Sequence, residues 1–331
     1  MRQNPVFTKS VSPIAKAATR EKNMRSHYGR LAGHFRKVSI LAMNFVFNRK
    51  YVYKFIGFIN RYLKFIGSVF VAYPASEEYA RAYVYPGHRR LMRWSPWPVG
   101  IFLQNGKWGI MFVISSTEKD FTKPEHEDNL RKLVEKTELI RELVCAPQKT
   151  FAGILPGVLY AKRIIHETVE THVTIEAIIK AESKVKQNER YDSNVPLIVL
   201  GGMGFIGRKL ISKLKGRKIF CVDVKTKSKC RTTWPHHLAG RKAILINVTK
   251  KAALSDYLKM FWPELILLNE VYPEPNEKEI STLKKIGSPA YHIVGIKAMA
   301  FPPFPKAYSG GIPCCAGRLS ENMKVLVKKL N

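Results

Sequence analysis

The chain predicts an α/β fold with a doubly wound parallel sheet at its back, a smaller α/β unit ahead of it and a basic amphipathic section at its start. Three observations carry this prediction. Short apolar runs alternate with helical stretches from Pro196 onward; a glycine-rich turn lies between the first such run and the first helix; and the opening third is dominated by Lys, Arg and aromatic residues. The corresponding divisions are residues 1–75, 76–190 and 191–331.

A chain of 331 residues, 46% hydrophobic, has material for two buried cores, which excludes a wholly disordered protein. Its 56 Lys and Arg against 25 Asp and Glu leave a formal charge of +31, so the expected partner is anionic. An acidic membrane, an acidic protein such as an acyl carrier, or a nucleic acid would each fit; no nucleic-acid module is recognisable, which makes that partner the less favoured. The five cysteines (Cys145, Cys221, Cys230, Cys314, Cys315) are odd in number and contain no C-x-x-C pair. A disulfide framework or zinc site is therefore not expected, and a reducing, cytoplasmic setting is.

Residues 1–37 read as a solvated basic arm with one acid, Glu21; a transit peptide has similar composition, but the basic character runs well past a cleavage point. Val38 to Tyr73 is apolar and aromatic, yet Arg49, Lys50, Lys54, Arg61 and Lys64 interrupt any membrane-spanning window. At about 100° per residue Lys50, Lys54, Arg61 and Lys64 share one helical face, with Phe55, Ile59, Tyr62, Leu63 and Ile66 opposite. Such a helix suits an anionic membrane surface, so peripheral association is expected; packing on the protein's own core is the competing use of the apolar face.

Val99–Leu103 and Trp108–Ser115 flank Gln104-Asn105-Gly106-Lys107 and predict a hairpin. A helix over 123–143, a strand over 150–155 and a long helix over 158–186 follow, with a polar junction at 188–194. In the back unit, strands are expected at 196–200, 218–222, 243–248, 265–268 and 291–294, and a helical tail at 319–330.

Gly202, Gly204 and Gly207 have G-x-G-x-x-G spacing between a strand and the helical stretch 208–214. This is the Rossmann-type arrangement: the first glycine permits the tight turn, the second lets backbone approach a pyrophosphate, and the third allows close helix packing. The amides of Met203, Phe205 and Ile206 border the same phosphate position at the helix start. Asp223, 21 residues beyond Gly202 at the end of the second strand, is placed to read ribose hydroxyls. Lys225, Lys227, Lys229 and Arg231 follow it and suit a 2′-phosphate, so NAD(H) and NADP(H) both remain open as the cofactor. Because ligands bind beyond the carboxyl ends of such strands, Thr249, the 269–273 turn beginning with Asn269 and Glu270, and the loop after Gly295 are candidate linings.

Ser309-Gly310-Gly311-Ile312-Pro313 leads to Cys314-Cys315-Ala316-Gly317 ahead of the expected tail helix. A thiol at a helix N-terminus in so basic a protein is expected to have a lowered pKa. Over roughly 149–323 the order of features resembles the long-chain acyl-carrier-protein reductases, within the shikimate-dehydrogenase-like group. The resemblance rests on Phe151-Ala152-Gly153, Thr171-His172, the glycine turn, Tyr272-Pro273 and the Cys-x-Ala segment. It departs from the family in reading Gly-Gly-Met-Gly at the turn and in the basic front section. The resemblance implies NADPH-dependent reduction of an acyl thioester, carried by acyl carrier protein or coenzyme A, through an acyl-cysteine. By the same resemblance Cys314 is the nucleophile, Cys315 the alternate and His172 a proton donor or carbonyl-positioning group. Two other readings stand beside it: a noncovalent amino- or hydroxy-acid dehydrogenase, and a non-catalytic nucleotide-binding protein docked by its basic front.

Overall fold

In the computed structural model the described residues are 34–35, 37–74, 77, 80–81, 84–223, 233–249, 253–304 and 308–331. They form a mixed α/β protein built on two sheets.

The front sheet has the order β10-β2-β3-β1-β4, from β1 (Ile66–Ala72), β2 (Trp97–Gln104), β3 (Lys107–Val113), β4 (Lys149–Phe151) and β10 (Met299–Phe301). β1 runs parallel to both β3 and β4, while β2 is antiparallel to β3 and β10 antiparallel to β2. The β2–β3 hairpin turns through Asn105 and Gly106 at φ 48° and 74°, the left-handed pair that makes Asn-Gly the favoured two-residue turn. Along β1 the side chains alternate: Val69 and Val71 enter a core beneath two helices, α1 (Lys50–Leu63) and α4 (Glu127–Leu143), and Phe70 faces the back unit. A short helix, α2 (Pro86–Met92), lies between β1 and β2, and another, α3 (Glu118–Phe121), between β3 and α4.

The back sheet has the order β11-β9-β8-β7-β5-β6, its edge strand being β11 (Gly311–Ile312), with β12 (Val325–Lys329) also on β9. β5 (Leu197–Leu200), β6 (Ile219–Val222), β7 (Ala243–Asn247), β8 (Leu265–Asn269) and β9 (Ala290–Lys297) are all parallel. The near-continuous burial of β5, β7, β8 and β9 is what parallel strands covered on both faces require, while β6 at the edge is half-buried. Leu197, Val199, Ile244 and Ile246 face α6 (Val169–Asn188) and α7 (Phe205–Lys213). Ile198, Leu200, Leu245 and Leu267 face the opposite layer, which holds α8 (Ala253–Tyr257), α9 (Glu277–Ile286) and Trp234.

Three expectations change. The long helix over 158–186 is two helices, α5 (Leu155–Ala161) and α6, because the chain reverses at Arg163 in the left-handed region, φ 56°. The 319–330 tail is β12 (Val325–Lys329), antiparallel to β9: the β-branched pair Val325 and Val327 satisfies a sheet edge, which outweighs the helix propensity of its Lys and Leu. Sheet membership also crosses the divisions drawn at 75 and 190. β1 belongs with β3 and β4, β10 returns from the back unit to the front sheet, and α6 packs in the back core.

Candidate active site between the two sheets

The glycine turn follows the carboxyl end of β5, where the strand order reverses direction. Gly201, at φ 90°, makes the bend and lies against Thr249, whose Cγ2 would be 2.8 Å from any Cβ there. Gly207 packs α7 on the turn: a Cβ would stand 2.2 Å from the Gly201 oxygen and 2.7 Å from the Gly202 Cα. At Gly204 a Cβ meets one atom, the Gly201 oxygen at 3.0 Å, and otherwise points into open space. The turn thus has a tight inner side and an open outer side, the asymmetry a phosphate-approaching backbone needs.

Asp223 closes the inner side by accepting the Met203 amide at 3.0 Å. That amide is consequently directed to the carboxylate, not to a phosphate as its position in the sequence suggests. The amides of Phe205 and Ile206 open α7, which has no side-chain cap at Gly204. The Phe205 ring lies on Gly157, 3.4 Å from a Cβ there, and on Tyr160, with Lys209 Nζ 4.5 Å from its centroid. Lys225 and the cations after it lie outside the described residues.

Beyond β7, β8 and β9 the strands carry a buried polar ladder. Parallel register places Asn247 beside Asn269 and Asn269 beside His292. Asn247 Nδ2 donates to Asn269 Oδ1 at 2.8 Å, while Asn269 Nδ2 bonds the Val271 carbonyl at 2.7 Å and His292 Nδ1 at 3.0 Å. Both Asn269 amide hydrogens are therefore engaged, and the side chain positions the turn after β8. Desolvation lowers the His292 pKa, consistent with a neutral ring accepting at Nδ1. Thr249 Oγ1 extends the ladder, donating to Asn247 Oδ1 at 2.8 Å.

The turn held by this ladder brings Glu270 and Tyr272 into a side-chain cluster with Tyr308, Cys314 and Cys315 of the C-terminal segment and, through Cys315, with Tyr73 of the front sheet. Tyr308 stacks on Tyr272 with centroids 5.2 Å apart. Tyr73, just past β1, donates to Glu118 at 3.0 Å and accepts the Ile154 amide at 2.9 Å. Desolvation pushes Glu270 up to about 7. Burial likewise raises Glu170, at the start of α6, to about 7, opposed by its own amide, the Phe151 amide, Lys209 and Lys149. One Glu170 carboxylate oxygen, Oε1, is buried without a hydrogen-bond partner, as are Oγ1 of Thr171, next to it on α6, and Oγ1 of Thr150 on β4.

The cysteines belong to this cluster, but not in the state expected from the sequence. Cys314–Ala316 is a single 3-10 turn, too short to offer a helix N-terminus. Burial raises the Cys314 pKa well above the ordinary thiol range and Cys315 to about 12, with Glu270 raising both further. The expected lowering fails because burial dominates and, among the described residues, the ionic groups acting on the thiols are carboxylates, Glu270 on both and Glu170 on Cys315. Cys314 is buried in the back core; Cys315 is half-buried, and the Gly153 amide bonds its sulfur.

His172 is exposed on α6, whereas Glu170, two residues earlier, is buried. Sequence reading singled out the exposed imidazole and missed Glu170, Asn247, His292 and Tyr308. The repeated Asn ending the runs Ala243–Asn247 and Leu265–Asn269 was the available signal for the ladder.

No known protein family matches the chain, and no curated protein matches it. Among solved structures, two complexes of VinN align over most of the chain. The complex with L-aspartate has 14% identity over 73% of this chain and 68% of VinN, at a TM-score of 0.24. The complex with 3-methylaspartate has 16% identity over 79% and 75%, at a TM-score of 0.25. Superposition at that level is below that of a shared fold.

Proposed function

We propose that the back sheet is a Rossmann-type unit that binds NAD(H) or NADP(H), and that the protein is an oxidoreductase acting on a carbonyl substrate, with an acyl thioester as the preferred class. The observation that carries the reading is the glycine turn, open outside Gly204 and sealed inside by Gly207, with Asp223 fastened to it at the point where strand order reverses. The amides of Phe205 and Ile206 would hold the pyrophosphate, and Asp223 would face the adenine ribose. A bound nicotinamide supplies or accepts hydride; the chain's own groups must bind the carbonyl and move protons.

Glu270 is the group suited to proton transfer, since a carboxyl near 7 exists in both states at neutral pH. In a thioester reaction it would take the Cys315 proton as sulfur adds to the carbonyl carbon. Collapse would expel the carrier's thiolate, which takes that proton back, leaving an acyl-cysteine and a free carrier thiol. Cys315 suits this better than Cys314 because it is the half-buried member of the pair. In the noncovalent alternative the same Glu270, with Tyr308, would serve the carbonyl oxygen directly.

Calorimetry with NADPH and NADH tests the cofactor reading. Binding of at least one, abolished in Gly204→Val while the folded spectrum is retained, is the expected result. Unchanged affinity in that variant reduces the motif to a packing turn.

A further inference from the structure

The geometry points to a membrane-docking ridge on α1, fitted to a bilayer containing anionic lipid and formed without any residue of the nucleotide site. Both the competing use of the helix and the face assignment read from the sequence are settled by how α1 packs. Its inner face is Tyr53, Gly57 and Asn60, not the aromatic set. Gly57 permits backbone contact, since a Cβ there would stand 1.9 Å from the Leu143 oxygen at the end of α4. Asn60 fastens the helix, donating to the carbonyls of Ile66, Val144 and Cys145 at 3.2, 3.0 and 2.8 Å and accepting the Ile66 amide at 2.7 Å. A small residue and a hydrogen-bonded amide thus hold α1 rigidly by one side.

The aromatic residues are left on the other side. Tyr51, Phe55, Phe58 and Tyr62, at successive spacings of four, three and four, form one stripe opposite Asn60 and Gly57. They are 70%, 65%, 60% and 71% exposed. The preceding helical residues Phe45, Val46 and Phe47 are exposed as well. Scattered surface aromatics are ordinary, but a continuous outward stripe on a firmly held helix marks an interaction surface.

Charge selects the occupant. Lys50, Lys54 and Arg61 are exposed along one flank of the stripe, and no Asp or Glu occurs between Glu21 and Glu77. Rings at the acyl boundary with cations at the headgroups is the arrangement by which an amphipathic helix lies on an acidic bilayer. A second copy of the chain would bring the same cations together with no acid on either ridge to pair them. Among the described residues no helix is long and apolar enough to cross a membrane, so docking would be in the interface plane.

The test uses the full chain with vesicles of phosphatidylcholine alone or with ~30% phosphatidylserine, sedimented at moderate salt. The parent should sediment with the anionic vesicles and not with the neutral ones. Phe55→Gln with Phe58→Gln should lower partitioning at least tenfold, and Lys50→Gln with Lys54→Gln and Arg61→Gln should do the same; unchanged melting curves establish that each variant is folded. Phe58→Trp should add blue-shifted emission only when anionic vesicles are present. Failure of the parent to bind, equal binding by the aromatic variant, or a parent dimer that the aromatic variant splits would each overturn the proposal. None of these outcomes bears on NADPH binding, which is measured separately without lipid.

Discussion

Glu170 offers a quantitative check on the interior between the two sheets because its burial and its chemistry are both specific. It is 4% exposed, one carboxylate oxygen has no partner, and its pKa is raised from 4.5 to about 7, with desolvation the leading cause. Between these two values the folded protein holds a proton that the unfolded chain has released, so stability must fall as pH rises. The loss begins near 4.5, is complete a little above 7, and corresponds to about 3 kcal/mol at ~1.4 kcal/mol per pH unit. Glu170→Gln removes the titration while keeping the shape of the side chain. Urea unfolding of parent and variant from pH 5 to pH 8 is the assay. The variant should match or fall slightly below the parent at pH 5 and exceed it by about 3 kcal/mol at pH 8. Glu270 contributes a slope of the same sign to both proteins, so the difference between them isolates Glu170. A difference that stays constant across the range would refute the reasoning, showing that Glu170 ionises in the fold at its ordinary pKa.

Three other outcomes can be checked. Gly207→Ala should destabilise the fold by about 3 kcal/mol or more in thermal melts, because its Cβ would be driven against the Gly201 oxygen at 2.2 Å. Asn269→Leu should cost about 2–4 kcal/mol in urea unfolding, since it strands Asn247 Nδ2, the Val271 carbonyl and His292 together. Iodoacetamide at pH 7.5 followed by peptide mass mapping should modify Cys315 before Cys314, and both far more slowly than a free thiol; rapid labelling of Cys314 would contradict its burial.

Strand runs and turns were legible in the sequence where a local rule decides structure. Asn105-Gly106 demanded its hairpin, and the apolar runs after Pro196 had to be doubly covered strands. The glycine turn was equally plain, because close packing at Gly207 and an open side at Gly204 are single-residue requirements. What stayed hidden depended on partners distant in the chain. Nothing local to 325–329 distinguishes a helical tail from a strand until β9 supplies an edge. The aromatic face of α1 suited an acidic bilayer or the protein's own core alike, and only the Leu143 and Cys145 carbonyls show that Gly57 and Asn60 are the inner face. The thiol pKa depends on distant partners in the same way: an overall charge of +31 says little about a buried site on which the Glu270 carboxylate acts.

That local charge constrains the chemistry of the cluster. Burial and the Glu270 carboxylate both raise the Cys315 thiol, so transfer of its proton to Glu270 is uphill and a preformed thiolate is disfavoured. Covalent capture by this cysteine would have to move the proton as the sulfur–carbon bond forms, which needs Glu270 ionised and in hydrogen-bond reach of the sulfur or of one bridging water. Its rate would rise with pH through about 7 and level off above it, following the carboxylate and not the thiol. A thiol activated by its own low pKa would instead show no rise through 7, and a carbonyl served by protonated Glu270 as a general acid would show a fall. The three proposed routes would thus be separated by the sign of a single pH dependence, a sign that would be set by the carboxyl group next to Asn269 in the turn that the Asn247–Asn269–His292 ladder holds in place.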